Sequence, residues 1–500
     1  MKTLLVYPKY PDTFWSFKYA LNFIAKRALH PPLGLITVAS MLPVEWEKRL
    51  IDMNTATLRD GDLQWADYVF ISAMAVQKES VREVISRCNA GGIKIVAGGP
   101  LFTAAWEDFP EVDHLVLNEA EITLPLFLKD LARGQANHIY TSSIFPDLEQ
   151  TPVPLWKLVK MDRYVSMNIQ YSRGCPFSCE FCDITTLYGQ KPRCKQTGQI
   201  INELEALYVA GWRGSVFFVD DNFIGNKKKI KENVLPAMIE WMKKRRYPFN
   251  LATEASINLA DDEELIRLMI RAGFEGVFIG IETPDKESLM ECNKFQNANR
   301  DLVASVKKIQ KLGLSIRGGF IVGFDNDSSD IFEKQIAFVQ ESRIVTAMVG
   351  MLNAPRGSRL YERLQKEGRL IKDISGDNTD FSTNIIPRMG YEKLVEGYQS
   401  IVDSIYSPGM YYERVKTFLR EYKPLEKRKW HFHFGYIRYH FRYLDAPFKT
   451  FIILGIKDKA RFYYWKLLVW SLFRRPQLLP MAIMYMVYGF HFRKVFGSHL

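Results

Sequence analysis

Three cysteines packed into one short loop constrain this chain more than any other feature. The stretch Tyr171-Ser-Arg-Gly-Cys175-Pro-Phe-Ser-Cys179-Glu-Phe-Cys182 follows Asn168-Ile169-Gln170-Tyr171, which reads as a strand end. The pattern C-x3-C-x2-C can hold three irons of a [4Fe–4S] cluster and leaves the fourth without a protein ligand. An open metal position can take a substrate or cofactor, as an open zinc site does. The spacing thus points to catalysis more than to electron storage. The alternative is a structural zinc knuckle with Cys194 as fourth ligand. Zinc pairs normally come as two distant C-x2-C units, which disfavours it.

Cys88, Cys194 and Cys292, the other three of six cysteines, are scattered. This is no disulfide framework, so a reducing, cytoplasmic setting is expected. The strand-like start Met1-Lys-Thr-Leu-Leu-Val-Tyr-Pro carries no signal-peptide pattern. At 500 residues the chain is too long for one core and predicts two to four domains.

Residues 1–140 alternate strand and helix patterns. Short apolar runs at Thr3–Val6, Arg49–Ile51, Tyr68–Ser72, Ile93–Ala97 and His114–Leu117 read as strands. Helical segments at Leu33–Leu42, Lys78–Ala90 and Pro125–Leu131 separate them. The alternation predicts an α/β, doubly wound parallel sheet whose crevice lies outside the carboxyl ends of its strands. Gly98-Gly99-Pro100 follows a strand there, where glycine lets backbone approach a ligand closely. For that loop taken alone, an ordinary βα turn is the favoured reading.

Residues 141–165 read as a linker broken by Pro146, Pro152 and Pro154. Residues 166–390 repeat the βα unit, with strands expected at Ser166–Gln170, Val216–Val219, Asn250–Thr253, Gly276–Ile281, Ser315–Ile321 and Thr346–Leu352. Six such strands predict a partial (β/α)6 barrel with chemistry at their carboxyl ends. The unusual residues recur there: the cysteine loop, Asp220-Asp221-Asn222, Thr253-Glu254, Glu282, Gly323 with Asp325, and Asn353-Ala-Pro-Arg356-Gly. Polar residues at one end of successive strands are hard to explain as packing.

The cysteine loop, with Phe181 before its last cysteine, resembles the cluster motif of the radical S-adenosylmethionine (SAM) enzymes. His30-Pro-Pro-Leu-Gly34, the Gly98-Gly99-Pro100 strand end and Asn118-Glu119-Ala-Glu121 resemble the cobalamin-binding domain that precedes many radical SAM barrels. No D-x-H-x-x-G run occurs, so no histidine is marked as the lower cobalt ligand. The runs Cys182-Asp-Ile-Thr-Thr-Leu-Tyr188-Gly-Gln-Lys191-Pro-Arg193, Asp403-Ser-Ile-Tyr-Ser-Pro408 and Tyr411-Tyr-Glu-Arg-Val look like a bacterial B12-binding subgroup that includes the hopanoid carbon methylases. The resemblance covers roughly residues 1–405. It implies a [4Fe–4S] cluster on Cys175, Cys179 and Cys182, SAM, and cobalamin near Gly98, Gly99, Pro100 and Glu119. Asp220, Asp221 and Asn222 would accept from the SAM ammonium, replacing the more common Gly-Gly-Glu. Glu254 and Glu282 suit the ribose hydroxyls. Gly318-Gly-Phe-Ile-Val-Gly323 is similar to the family's G-x-I-x-G adenine segment. The implied reaction is reductive cleavage of SAM to a 5′-deoxyadenosyl radical, then methylation of an unactivated carbon. A cyclase or rearrangement enzyme without net methylation, or a non-catalytic cluster or cobalamin sensor, stays open as an alternative. An external donor such as flavodoxin or ferredoxin is implied.

Charge singles out the remainder, residues 391–500, expected to be helical. The formal net charge of +11 resides in residues 421–500, with 15 Lys/Arg against four Asp/Glu; the preceding 420 residues balance. The same 80 residues hold 21 of the 67 aromatics. Apolar runs at Phe462–Phe473 and Leu478–Phe492, separated by Pro476, are too short to span a bilayer. Basic residues with aromatic anchors suit an interfacial helix. Residues 424–500 are therefore expected either to rest on the anionic inner face of a membrane, feeding a hydrophobic substrate to the barrel, or to cap the barrel. Nucleic acid ranks lowest, since no RNA-binding module is recognisable.

Overall fold

The computed structural model describes residues 1–423 and 445–497. Residues 424–444 and 498–500, part of the basic tail, lie outside the described residues.

The first sheet is wholly parallel: β1 (Lys2–Tyr7), β2 (Glu47–Asp52), β3 (Tyr68–Ser72), β4 (Lys94–Gly98), β5 (His114–Val116) and β6 (Ile139–Tyr140), ordered β2-β1-β3-β4-β5-β6. Its inner strands β1, β3 and β4 carry continuous apolar runs, as suits a sheet with helices on both faces, whereas the edge strand β2 is charged. Leu4 and Val6 enter one core with Val81, Val84 and Ile85 of helix Lys78–Ala90. Leu5 points the other way, to Leu35 and Ala39 of helix Leu33–Met41. The strand order reverses between β1 and β3, which opens a crevice at their carboxyl ends. β6 is an addition to the five expected strands; two residues are too few for a pattern. The helix expected from Pro125 begins at Ala120, with Pro125 inside it, where the ring forfeits one backbone hydrogen bond.

The second sheet consists of β7 (Ser166–Ile169), β10 (Ser215–Phe218), β11 (Asn250–Glu254), β12 (Phe274–Glu282), β13 (Ser315–Val322) and β14 (Thr346–Met351). They pair in chain order, all parallel, with β7 and β14 at the two open edges. This is the partial six-stranded barrel. The helical segment after β10, residues 227–244, carries a π-helical turn, Ile230–Val234. A two-stranded antiparallel pair, β8 (Ser172–Arg173) with β9 (Arg193–Cys194), was not foreseen.

Two further pieces close the barrel. Helix Tyr391–Tyr406 seals the β14 edge, where Tyr398 and Tyr406 donate to the Val349 and Ala347 carbonyls at 3.0 and 2.6 Å. Helix Leu479–Phe496 packs on the loop after β1: Phe492 stacks on Phe14 at 4.2 Å, and a His491 ring nitrogen meets the Phe14 carbonyl at 2.9 Å. Among the described residues no helix is long and apolar enough to cross a membrane.

Candidate active site

The β8/β9 pair closes the base of the cysteine loop. Ser172 faces Cys194 and Arg173 faces Arg193, so residues 174–192 leave and return at one point. Gly174, at φ +90°, lies where a Cβ would come within 2.6 Å of the Gly189 carbonyl. Only glycine fits there. The neighbouring strand end pins the base. Asp220 accepts from Tyr171 N–H at 3.0 Å, from the Ser172 hydroxyl at 2.6 Å and from Ser172 N–H; Asp221 accepts from Gly174 N–H at 3.0 Å.

The outer side of the loop is clamped from the far domain edge. Glu180 N–H donates to the Cys292 carbonyl at 2.9 Å, and the Glu180 carboxylate holds Arg363 in a two-pronged pair at 2.7 and 3.1 Å. Phe181 packs on the core formed by Cys292, Phe324, Leu352 and Leu360. Cys292 thus supports the loop through its backbone. Cys194 turns its thiol toward Tyr171 and the Asp220 charge.

Burial pushes up the pKa of all three loop thiols, and the Lys294 charge beside them opposes it. Lys294 itself is paired with Glu282 and stands 5.8 Å from the Phe181 ring. Burial works against its charge, but Glu282 and Cys179 hold it above the usual lysine range. Glu282 sits at φ +66°, beside a register shift at Gly280/Glu282. Such strain in a non-glycine residue is kept only where the surroundings enforce it. Among the described residues no three His, Cys, Asp or Glu side chains converge on one point to hold a single ion. A cubane asks instead for one thiolate on each of three irons.

A cavity of about 1140 Å³ joins the two sheets. It exceeds the ~300–1,000 Å³ of drug-sized ligand pockets. From the first domain it is lined by the carboxyl ends of β1, β3, β4 and β5, including Gly98, Gly99, Pro100 and Glu119. From the barrel it is lined by Asp221, Glu254 and the inward side chains of the strands. At Gly98 and Gly99 a Cβ would come within 2.5 Å of the Val116 carbonyl and the Ser72 hydroxyl, respectively. The glycines thus let three neighbouring strand ends close into one floor.

Not every expected residue reaches this cavity. Glu119 lines it, but its carboxylate is held by Arg173 at 2.5 Å and Arg193 at 2.6 Å. Asp220 is fully buried and dedicated to the loop base. Asn222 bonds Ser256 and lines a separate cavity of about 520 Å³ with Pro176 and Phe177 of the cysteine loop. Glu282 is tied to Lys294, and Gly323 N–H donates to Asp327 at 2.7 Å. Glu254 faces the cavity; burial and then the Asp221 and Asp220 charges raise its pKa to about 8. Burial likewise raises Asp221 to about 6. Sequence reading missed Arg173, Arg193 and Lys294, whose carboxylate partners lie 12 to 74 positions away along the chain. For Arg173 the available signal was its place two residues before Cys175.

A doubly wound domain whose strand ends face the mouth of a six-stranded barrel, with a three-cysteine loop between, defines a cobalamin-binding radical SAM enzyme. Family profiles agree: "B12 binding domain" matches residues 24–128, "Radical SAM superfamily" 169–339, and "Domain of unknown function (DUF4070)" 358–499. The chain is 43% identical over 417 residues to "Uncharacterized methyltransferase sll1242" of Synechocystis sp., covering 83% of this chain and 78% of that one. It is 35% identical over 413 residues to "Hopanoid C-2 methylase" of Rhodopseudomonas palustris, covering 81% and 77%. In fold it is similar to the cobalamin-dependent SAM radical enzyme OxsB with aqua-cobalamin bound, at TM-score 0.62, 15% identity, and coverage of 100% and 80%. It is also similar to the radical SAM methyltransferase TsrM of Kitasatospora setae, at TM-score 0.56, 14% identity, and coverage of 75% and 79%. This chain belongs to the B12-binding radical SAM methyltransferases, the family that contains those two sequence relatives. The family's cofactors are a [4Fe–4S] cluster, SAM and cobalamin. The donor set fits them: three clustered thiols, cavity-facing carboxylates and a glycine floor.

Proposed function

We propose that this enzyme methylates an unactivated carbon of a hydrophobic, lipid-like substrate. One observation carries the reading: a single cavity runs from the glycine floor of the first domain into a barrel lumen walled by Trp15, Phe217, Phe278 and Met348. Bound there, the cofactors would supply the radical and the methyl group. The chain's own residues would position them and exclude water. Cys175, Cys179 and Cys182 would hold the cluster on a loop fixed by Asp220, Asp221 and Glu180. Asp221 and Glu254 are the carboxyl groups placed to meet SAM. Glu254, protonated at neutral pH when the cavity is empty, would donate a hydrogen bond. Gly98, Gly99 and Pro100 would bear cobalamin, and Glu119 would brace that floor against the cysteine loop. The name of the R. palustris relative supports a lipid-like substrate.

The C-terminal helices extend the proposal to a membrane surface. On helix Arg461–Arg474, Phe462, Trp465, Val469, Leu472 and Phe473 are exposed at helical spacing, with Phe448, Phe451 and Ile456 exposed in the preceding segment. Contiguous exposed apolar groups beside basic ones suit an anionic lipid face. The setting proposed is cytoplasmic and peripheral to the inner membrane face, with flavodoxin or ferredoxin as reductant.

The test is anaerobic reconstitution with cluster, cobalamin, SAM and a low-potential reductant, in the presence of extracted lipids. Methyl transfer yields 5′-deoxyadenosine together with S-adenosylhomocysteine. 5′-Deoxyadenosine alone assigns a radical rearrangement instead, and neither product assigns a sensor.

A further inference from the structure

The barrel lumen holds a cation that the chain leaves unanswered. Arg317 is the third residue of β13 and lines the cavity beside Phe278 of β12. Among the described residues its guanidinium has neither an ion-pair nor a hydrogen-bond partner. The other cavity arginines differ: Arg173 is held by Glu119 and Glu121, and Arg356 by Asp373. Glu254 does not neutralise Arg317. It lies two strands away through Phe278, about 9.5 Å at ordinary strand spacing, and its surrounding charges are Asp221 and Asp220.

A second polar group shares this wall. His30 reaches the cavity with its ring 5.4 Å from that of Phe217; its Nδ1 is buried without a well-formed bond, and Asn168 is the side chain placed to answer it. Burial, then the Arg317 charge, lowers its pKa to about 3, so it presents a neutral imidazole and not a second cation. On the side of the closing helix, Tyr485 and Tyr488 lie within the field of Arg317; burial keeps both phenols protonated. Asn168 is the hydrogen-bonding neighbour of His30 and opposes the lowering of its pKa. Trp15, Phe217, Phe278 and Met348 supply the apolar wall beside these groups.

A half-buried cation with no counter-charge, set in the wall of a largely apolar cavity, is placed to meet an anionic ligand. One fixed positive charge, planar and fork-shaped, with a neutral imidazole beside it, matches one carboxylate. We propose that Arg317, assisted by His30, anchors a carboxylate carried by an otherwise apolar substrate. The anchor stands five residues, about 16 Å, before Val322 at the cluster end of β13. It would hold the acid group far from the carbon attacked and set which carbon reaches the radical. This deepens the catalytic reading above and rests on it.

The test is calorimetric titration of the reconstituted holoenzyme with dodecanoate and with dodecan-1-ol. The wild type binds dodecanoate at least ten-fold more tightly; Arg317→Gln loses that preference, and Arg317→Lys keeps part of it. No preference in the wild type, no binding of either probe, or a preference retained in Arg317→Gln overturns the anchor. Thermal unfolding of each variant confirms that it is folded. The catalytic reading is scored separately by 5′-deoxyadenosine release from the wild type. Release without a carboxylate preference sinks the anchor alone, and preference without release sinks the catalysis.

Discussion

Arg173 and Glu119 form a buried ion pair, Nη1 to Oε2 at 2.5 Å, that joins the cobalamin-type domain to the root of the cysteine loop. Their side chains are 12% and 4% exposed, so water screens the pair little. Arg193, across the β8/β9 pair, binds the same carboxylate, and Glu121 holds the other side of Arg173 at 2.8 Å. Four charges thereby fix how the loop faces the floor at Gly98 and Gly99.

Removing one member of such a set leaves buried charge without a partner. Glu119→Ala is expected to cost about 3 kcal/mol or more, the range for breaking a buried pair from one side. Urea unfolding checks this, and a cost below about 1 kcal/mol, the surface-pair range, would place the pair outside the structural core.

Glu254 makes stability fall with rising pH in the cofactor-free protein. Burial holds its folded pKa near 8 against 4.5 in the unfolded chain. Between those values the folded state binds the extra proton, so stability is full below about pH 4.5 and declines as pH rises through 8. Glu254→Gln removes this dependence. Its melting temperature should match wild type near pH 4.5 and exceed it increasingly toward pH 8; parallel curves would refute the assignment.

The cysteines divide into two groups. Cys175→Ala, Cys179→Ala or Cys182→Ala should each abolish cluster absorbance and 5′-deoxyadenosine formation. Cys194→Ser should retain the cluster, whereas a zinc site using Cys194 would lose metal. Cys292→Ser should also retain it at a stability cost of roughly 1–3 kcal/mol, since the site is 2% exposed among apolar side chains. Iron and zinc analysis of the purified variants distinguishes these outcomes.

Gly99 adopts φ +89°, ψ −177°, a region open essentially to glycine alone. Gly99→Ala adds strain of order 1–3 kcal/mol and a contact with the Ser72 hydroxyl. Thermal melts should fall, and cobalamin retained after gel filtration should drop several-fold. Unchanged retention would remove this turn from the cofactor floor.

Exposed aromatics on helix Arg461–Arg474 make the membrane proposal measurable. Phe462 and Phe473 are 67% and 77% exposed. Serine at both positions should weaken co-sedimentation with phosphatidylglycerol vesicles at low salt at least ten-fold while leaving the melting temperature within a degree or two. Wild-type protein that ignores such vesicles would end the membrane proposal.

The sequence by itself determined the two βα runs and the three-thiol loop, because both are local. Strand and helix periodicity repeats within ten residues, and cluster ligation needs neighbours on one loop. It also marked the ends of β7, β10, β11, β12 and β13 as the polar face. Only the tertiary structure decided what each polar side chain meets there. Asp220 turned to the backbone of Tyr171 and Ser172, Glu282 to Lys294, and Glu119 to two arginines, whereas Glu254 and Arg317 were left facing the cavity. The physical reason is range: a buried charge is settled by the counter-charge and solvent nearest in space, and chain spacing carries no record of those.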